Sequence, residues 1–445
     1  MNWMEPFKIK TVEPINILTE KERVIALEKG GYNLFRLPSD KVTIDFLTDS
    51  GTGALSHDQW AMIMKSDEAY AGAKSWERFE KSARSFTGLR EIVPVHQGRA
   101  AEKLIAELFI KNRGDFIIAN TLFDTTRANF EHVDTTCVDF PESDDISSWR
   151  NFKGNINIGK AKKFLEKNRK TTRALIMTLT NNSGGGQPAS LKNIISASRL
   201  ARRYGVPFVV DACRIAENAF FIKKLEREFR GKSVGEIIKL ILRVSDLAFM
   251  SAKKDGLANI GGFIATNDKK MAAALRNLGV LYEGFPTYGG MSGREMETIA
   301  RGLEEVTDEK YLDYRVGQIK YLHEGLSRVG FALVNPPGGH AVYFDAVRAL
   351  PHIKKEQFPG QVLALAFYLE GGVRGVEVGS LMFGGVARHE LLRFAIPRRV
   401  YTKSHLDYVI GVGRNVWKSR KKLRGLKIVS APKELRHFSA TLKLL

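Results

Sequence analysis

The chain has 445 residues, of which 44% are hydrophobic, 27% charged and 10% aromatic, and its formal net charge is +20. This composition is typical of a soluble globular protein, and the length predicts two domains rather than one core. The sequence has no apolar run of about 18 residues and no hydrophobic signal core at its start, so we expect a cytoplasmic protein without a membrane span.

Cysteine usage supports the same compartment. Cys137 and Cys213 are the only cysteines, and they are far apart in sequence. This spacing gives neither a disulfide framework nor a CxxC metal site, so we expect reduced thiols.

Basic residues concentrate between residues 398 and 427, where ten lysines and arginines accompany a single acid, Asp407. Such a run indicates either a face that binds nucleic acid or other anions, or a solvated helix face. We favour the solvated face and expect no nucleic-acid partner, because no zinc finger, RRM signature or aromatic-interleaved groove motif accompanies the charge.

Strand-like and helix-like segments alternate from about residue 50 to about residue 300. An amphipathic stripe predicts a helix over residues 100–111, and Ser190 and Gly205 have the residue types of a helix cap and a helix stop. Apolar runs predict strands at residues 115–119, 174–178, 206–211, 247–250 and 262–265. This alternation is typical of an α/β domain whose mostly parallel sheet is covered by helices.

The pattern changes after residue 300. A long helical stretch, residues 295–323, is followed by apolar segments at 331–335 and 341–344 around a Pro-Pro-Gly-Gly turn. We therefore predict a large α/β domain over residues 51–300. Residues 1–50 and 301–445 are predicted to form an N-terminal arm and a smaller α+β domain.

Two polar segments at predicted strand ends could bind a phosphate or an amino acid. Gly98 and Arg99 precede the helix at residue 100, where free N–H groups and the positive end of the helix dipole attract an anion. Ser251 could add a hydrogen bond to the same phosphate. Asn182 lies in a polar, glycine-rich loop after a strand, where sites of α/β proteins lie, and could contact a cofactor or a carboxylate.

The most informative pattern is an aspartate at one strand end and a Ser-x-x-Lys at the next. Asp211 follows residues 206–210, and Ser251 and Lys254 follow residues 247–250. A carboxylate can hold a pyridinium nitrogen protonated and a lysine can form a Schiff base, so the pattern predicts a pyridoxal-phosphate (PLP) site. Arg214 could reach the phenolic oxygen of the cofactor, or could simply form a structural ion pair with Asp211.

Two further side chains have a functional and a structural interpretation. Phe123 could stack on the pyridine ring or could belong to the core. Arg398 follows an apolar strand and could bind an amino-acid carboxylate, or could be a surface arginine.

The chain also resembles the β-eliminating lyases, the PLP enzymes that include tryptophanases and tyrosine phenol-lyases. Matching motifs run almost from end to end. They are residues 47–51 (LTDSG), 67–70 (DEAY), 96–99 (HQGR), 185–188 (GGQP), 217–219 (ENA), 221–223 (FIK), 251–255 (SAKKD), 283–290 (EGFPTYGG), 338–341 (GGHA), 396–398 (IPR) and 435–438 (LRHF).

The resemblance implies a role for each matching position. Lys254 would be the Schiff-base lysine that also removes the Cα proton. The cofactor would be held by Gln97, Gly98, Arg99, Phe123, Asn182, Asp211, Arg214 and Ser251. The amino-acid part of the substrate would be bound by Thr48, Ser50, Asn182 and Arg398. Tyr70 would be the general acid for the leaving group, Tyr288 would line the site of a neighbouring subunit, and Gly51, Glu68 and Asn259 would bind a monovalent cation, usually K⁺.

Three positions indicate the tryptophanase side of the family. The resemblance implies that Asp124, Val378 and His437 face the aromatic group, where phenol-lyases have Thr, Arg and Phe. An apolar Val378 suits an indole face, whereas an arginine would favour a phenolic oxygen. The alternative for His437 is a surface histidine near the C-terminus.

The resemblance thus implies a PLP-dependent fold of type I with a seven-stranded, mostly parallel sheet, assembled as a homotetramer of catalytic dimers. The predicted reaction cleaves L-tryptophan to indole, pyruvate and ammonia. Tyrosine phenol-lyase activity is the alternative within the family. A different class of function, a non-catalytic basic protein that binds nucleic acid on a PLP scaffold, is the second hypothesis.

Overall fold

The computed structural model of the protein describes residues 4–433 and 435–445. Over these residues the strands are β1 (Ile44–Asp45), β2 (Glu91–Val95), β3 (Phe116–Ala119), β4 (Thr136–Asp139), β5 (Thr172–Thr178), β6 (Phe208–Asp211), β7 (Leu247–Ser251), β8 (Gly262–Thr266), β9 (Ala341–Asp345), β10 (Val373–Arg374), β11 (Val376–Val378), β12 (Leu391–Ala395), β13 (Leu426–Ser430) and β14 (Thr441–Leu444).

The α-helices of the same residues are α1 (Glu20–Lys29), α2 (His57–Met64), α3 (Lys74–Thr87), α4 (Gly98–Phe109), α5 (Asp124–Glu131), α6 (Ile158–Asn168), α7 (Leu191–Tyr204), α8 (Ile215–Leu225), α9 (Val234–Leu242), α10 (Lys269–Tyr282), α11 (Gly293–Glu305), α12 (Glu309–Val329), α13 (Ala346–Ala349), α14 (Pro359–Gly371), α15 (Ser380–Phe383) and α16 (Lys403–Ser419). Among them, none has the length and apolar character needed to cross a membrane.

The described chain divides into two compact units. Unit 1 comprises the described parts of Met1–Asp49, Asp144–Trp149 and Tyr314–Leu445, and unit 2 comprises Ser50–Ser143 and Arg150–Asp313. This division differs from the predicted domains in three ways. Ser50 belongs to the larger unit, and two further segments change place. Residues 301–313 belong to the larger unit because α11 packs against α2 and α3, and the short segment 144–149 belongs to unit 1, where Ile146 accepts a backbone hydrogen bond from Asn335.

Unit 2 is built on a seven-stranded sheet with the strand order β2-β8-β7-β6-β5-β3-β4. Strand β8 runs antiparallel to both of its neighbours, and the pairs from β7 to β4 are parallel. The central strands are buried over their whole length, because helices such as α4 cover the sheet and pack on its apolar residues. The mostly parallel α/β sheet is therefore confirmed.

Parallel strands place their carboxyl ends at one edge of a sheet, where the sites of α/β proteins lie. Strand β6 ends at Asp211, which is in register with Phe249 on β7. Strand β7 ends at Ser251, and β3 ends four residues before Phe123. The fold thus brings the predicted cofactor residues to the same edge.

Helix boundaries follow local capping. Helix α7 begins after Ser190, whose hydroxyl accepts the N–H of Asn193, and ends at Gly205 in the left-handed conformation. The predicted single helix over residues 295–323 is wrong, because the chain forms two helices, α11 and α12. Asp308 interrupts the run by accepting the backbone N–H of Lys310 at 2.9 Å, a local hydrogen bond that competes with helix continuation.

Unit 1 is smaller and mixed in type. It contains the antiparallel sheet β11-β12-β9, the hairpin β13-β14 and the short parallel pair β1-β10. Its core joins Phe331, Phe344, Phe367 and Phe394 through edge-to-face and tilted ring contacts, which pack α12 and α14 on the sheet. Residues 331–335 form no strand in the described chain, only an isolated bridge between Leu333 and Phe344.

Candidate active site

The start of α4 lies against the end of β7. Gln97 is the N-cap residue of the helix and Gly98 its first residue. A Cβ on Gly98 would lie 2.6 Å from Cβ of Ser251, so only glycine lets the backbone approach this closely. The predicted phosphate residues Gln97, Gly98, Arg99 and Ser251 are therefore together, at a helix N-terminus that offers backbone N–H groups.

Positive charge accumulates at the same place. Burial lowers the pKa of Lys253, and the nearby charges of Lys254 and Arg99 lower it further. Three cations close enough to act on one another need an anion between or beside them. A phosphate at the start of α4 satisfies that need, and this helix start lacks acidic residues in its first turn.

Asp211 is buried at the end of β6, and its Oδ1 accepts the backbone N–H of Cys213 at 3.1 Å. Burial raises its pKa, whereas hydrogen bonds from Cys213 and the charges of Lys254 and Arg214 lower it. Both predicted cationic neighbours are thus close enough to act on this carboxylate. A protonated heterocyclic nitrogen beside Asp211 would offset the cost of its burial, so the donor set fits PLP.

Sequence reasoning missed Cys213, which connects two of the predicted site residues. Its Sγ accepts the backbone N–H of Ser251 at 3.2 Å, and its thiol hydrogen-bonds with Asp211. Burial raises the pKa of this thiol, so the group stays a neutral thiol. The sequence signal was its position two residues after the strand-end aspartate.

Glu102 is a second residue that the sequence did not reveal. It is buried on α4, where its Oε1 accepts the hydroxyl of Thr126 at 2.8 Å and its Oε2 accepts Nδ2 of Asn129 at 3.3 Å. Burial raises its pKa to about 7, and the charge of Asp211 contributes to this rise. Glu102 therefore lies near the carboxylate predicted to face the cofactor and ties α4 to α5.

The remaining predicted cofactor side chains lie at the carboxyl edge of the sheet. Phe123 is the N-cap residue of α5, directly before the buried Asp124. Asn182 is buried in the loop after β5, and its carbonyl accepts the N–H of Gly185 at 3.1 Å. Buried polar side chains in a loop at this edge are typical of a binding site. Their contacts with a cofactor stay predictions.

Tyr70 and Tyr288 lie together on the surface of unit 2. Their ring centroids are 5.3 Å apart, and Phe285 lies 5.6 Å from Tyr70. Tyr70 is 72% exposed, which leaves its hydroxyl accessible from outside this chain. An exposed cluster of three aromatic rings is typical of an interaction surface.

The three predicted cation residues are only partly brought together. Nδ2 of Asn259 donates to the carbonyl of Gly51 at 3.0 Å and to that of Gly53 at 3.1 Å. The Glu68 carboxylate instead caps α11, where it accepts the N–H of Gly293 at 2.8 Å. In the described residues no group of three or more His, Cys, Asp or Glu side chains could hold a metal ion. A K⁺ site stays a prediction.

Unit 1 contains the predicted carboxylate-binding arginine. Arg398 is buried, so the surface alternative is wrong, and its guanidinium donates to Oδ2 of Asp49 at 2.8 Å. Arg315 lies 3.6 Å from the same carboxylate. Two guanidinium groups thus lie near one buried carboxylate. Thr48 directly precedes this aspartate, and Ser50 follows it as the first residue of unit 2.

The predicted specificity residues lie in both units. Val378 ends β11 and belongs to an apolar cluster with Tyr343 and Leu391, against which Met382 packs. His437 is buried, with its ring centroid 4.0 Å from that of Phe438. The surface alternative for His437 is therefore wrong. Asp124 belongs to unit 2, and its pairing with His437 stays a prediction.

Comparisons with known proteins identify the family of the chain. The family described as "Beta-eliminating lyase" matches residues 45–411. The tryptophanase of Hyphomonas neptunium is 47% identical over 99% of both chains. A tyrosine phenol-lyase of Symbiobacterium thermophilum is 44% identical over 98% of both.

A solved structure of "SPT with PLP" is 16% identical, covers 90% of this chain and 96% of its own, and superposes with a TM-score of 0.59. At this identity it shows the fold alone, that of the type I PLP-dependent enzymes. The long family match and the two close relatives show more than the fold. The chain belongs to the β-eliminating lyases and is a PLP-dependent lyase.

Proposed function

We propose that the protein cleaves L-tryptophan, with one water, into indole, pyruvate and ammonia. Relatives from three organisms that are 45–47% identical over nearly the whole chain are named tryptophanases. The observation that carries the choice of substrate is the apolar surrounding of Val378. The hydrocarbon face of an indole ring leaves no polar group unpaired against such a surface, whereas a phenolic oxygen directed at it would need a partner there.

Two polar residues support the same choice. Asp124 and His437 are both buried and carry groups that can accept the indole N–H. A site built to hydrogen-bond one substrate group rejects analogues that lack it. We propose that these two side chains recognise the indole nitrogen.

In the proposed mechanism, bound PLP supplies the electron sink for the carbanion that forms at Cα. The Lys254 amine would hold PLP in the resting enzyme and would take the Cα proton of the bound substrate. Asp211 keeps the heterocyclic nitrogen protonated, and its burial makes that charge contact strong. Arg398 binds the substrate carboxylate. Tyr70 delivers a proton to C3 of indole, so that the bond from C3 to Cβ breaks and indole leaves.

The remaining proposed roles are those of positioning. Arg214 contacts the phenolic oxygen of PLP, while Thr48, Ser50 and Asn182 orient the amino-acid part of the substrate. After indole leaves, water releases pyruvate and ammonia from the three-carbon remainder, which balances the atoms of the reaction.

We further propose a homotetramer of catalytic dimers in the cytoplasm. Tyr70 and Tyr288 are then supplied to the site of a neighbouring copy, which is supported by the exposure of Tyr70 in this chain. We also propose that Gly51, Glu68 and Asn259 bind K⁺; in this chain the Glu68 carboxylate accepts the N–H of Gly293 at 2.8 Å.

The test is direct. The purified protein, supplied with PLP and K⁺, is given L-tryptophan and L-tyrosine in separate reactions, and indole, phenol and pyruvate are measured. We expect indole and pyruvate in equal amounts from tryptophan. Phenol as the main product would establish the second candidate, tyrosine phenol-lyase, which the 44% identity to such enzymes supports. No pyruvate from either would refute both.

A further inference from the structure

Two buried glutamates lie behind the segment that carries Val378. Glu377 is on β11, and Glu390 directly precedes β12, the strand with which β11 pairs. Both side chains are almost fully buried, at 2% and 3% exposure. No role in cofactor or substrate binding falls to either of them. Two acids in the interior of one small sheet need a physical explanation.

Both carboxylates bind the backbone that follows Val378. Oε1 of Glu377 accepts the N–H of Leu381 at 2.8 Å, and Oε2 accepts that of Met382 at 3.0 Å. Oε1 of Glu390 accepts the N–H of Ser380 at 2.9 Å. Three successive N–H groups are therefore held by two side chains, which fixes the turn that leaves β11.

The two carboxylates also approach each other around Gly379. A Cβ on this glycine would lie 2.6 Å from Oε2 of Glu390 and 2.7 Å from Oε1 of Glu377. Burial raises the pKa of both groups, that of Glu377 to about 8, and the charge of Glu390 contributes to the latter. Two neighbouring buried carboxylates that both carry charge repel each other, so this arrangement favours a state with one proton on the pair.

The contacts indicate where that proton lies. Both oxygens of Glu377 already accept N–H groups. Oε2 of Glu390 instead lies 3.1 Å from the hydroxyl oxygen of Ser380, which is also placed to donate its own proton to the carbonyl of Lys355 at 3.3 Å. Ser380 can then accept a proton from Glu390, so Oε2 of Glu390 is the oxygen that can be protonated without losing a hydrogen bond.

Other charged groups face the pair from neighbouring segments. The charge of Lys355 lowers the pKa of Glu390, and the charge of Glu356 raises it. Arg436, next to His437, donates to the carbonyls of Ser380 and Leu381 from the other side of the turn. Neither Lys355 nor Arg436 donates to Glu377 in the described residues, and its donors include the N–H groups of Leu381 and Met382.

We propose that Glu377 and Glu390 form a proton-sharing carboxyl pair that positions the Val376–Val378 strand and the following turn for the aromatic group of the substrate. They are positioning residues, and this role rests on the proposed function. When the shared proton leaves at alkaline pH, two adjacent buried carboxylates repel each other and the turn loosens. The KM for an aromatic substrate then rises, while kcat stays unchanged because it depends on the chemistry at the cofactor.

The two glutamine variants separate this role from a merely structural one. Glu390→Gln puts an amide N–H where the shared proton lies, so we expect a KM for tryptophan within about twofold of wild type at neutral pH and no alkaline rise. Glu377→Gln turns an N–H donor toward the N–H of Leu381 or Met382, so we expect KM to rise about tenfold or more at every pH. Glu28→Gln, at an exposed position of α1, is the matched control.

Two further measurements complete the test. S-methyl-cysteine, which has no aromatic group, should show the same KM in wild type and in both variants. Thermal unfolding of the holoenzyme between about pH 6 and pH 9 should reveal a loss of stability with rising pH. A carboxyl group whose pKa is raised in the folded state stabilises the fold only at pH values below that raised pKa. Glu390→Gln should lack this loss.

The proposal is overturned if the two variants behave alike, or if wild type and Glu390→Gln lose stability equally as pH rises. A wild-type protein that cleaves no aromatic amino acid would refute the proposed function instead, and the unfolding curves would still decide whether the carboxyl pair shares a proton.

Discussion

Replacement of Gly98 by alanine tests the phosphate cradle at its tightest point. The new Cβ would lie 2.6 Å from Cβ of Ser251 and 3.4 Å from its Cα and Oγ. Gly98 is the first residue of α4 and its φ is not positive, so alanine can adopt its backbone conformation. The effect of Gly98→Ala is therefore steric and acts directly on the contact between α4 and β7.

The size of the effect follows from this distance. Carbon atoms pack best at about 3.5–4.0 Å, so α4 and β7 must separate by about 1 Å. Overpacking of this kind costs about 1–3 kcal/mol. If that cost falls on the cofactor-bound state, the Kd for PLP rises between about fivefold and about 150-fold. We also expect a lower Tm for the holoenzyme, because the clash opposes the close contact between α4 and β7.

The assay is an absorbance titration of the apoprotein with PLP, together with thermal unfolding. Gly235→Ala is the matched control, because Gly235 lies in α9 with open space around its Cβ position, and alanine there should stabilise the helix by about 1 kcal/mol or less. If Gly98→Ala binds PLP as tightly as Gly235→Ala does, the start of α4 does not hold the phosphate.

Three other changes probe the site. Asp211→Asn removes the charge that holds the heterocyclic nitrogen protonated, so the rate of indole release at saturating PLP should fall by about 10²-fold or more, and a wild-type rate would refute the role. Glu102 has a pKa raised to about 7, so it should reduce the free energy of unfolding by about 3 kcal/mol between pH 4.5 and pH 7, as measured by denaturant titration. Glu102→Gln should lack this loss, and an equal loss in the variant would mean that Glu102 is not the group that titrates. Arg398→Lys keeps the charge but not the forked geometry, so KM should rise about tenfold or more while PLP affinity stays unchanged, and a loss of PLP affinity would contradict substrate binding as its role.

The fold was predictable where burial leaves a continuous apolar signal. The five predicted strands are the inner strands of the sheet, covered on both faces and therefore rich in apolar residues. The two strands that the prediction missed, β2 and β4, are the two edges. Strand β2 is buried apart from Glu91, but it contains Pro94, a residue confined to edge strands and bulges. Strand β4 has no fully buried residue and so lacks the apolar pattern of a central strand.

Parts of the candidate site could be predicted because a few residue types at strand ends indicate a particular kind of cofactor chemistry. Asp211, Ser251 and Lys254 were recognisable because a PLP site needs an acid, a hydroxyl and an amine, and the alternation of strands placed them at one edge. The sequence determined these groups and the family to which they belong, since each is fixed by its local segment and by its order along the chain.

Only the tertiary structure decided the protonation and pairing of the buried groups. Glu102 meets Asn129, Asp49 lies between Arg398 and Arg315, and Glu377 meets Glu390 through contacts between residues that are distant in sequence. The charge of a buried acid depends on how much water is removed and which groups replace it. Neither quantity exists until the chain has folded, so no motif in the sequence could reveal it.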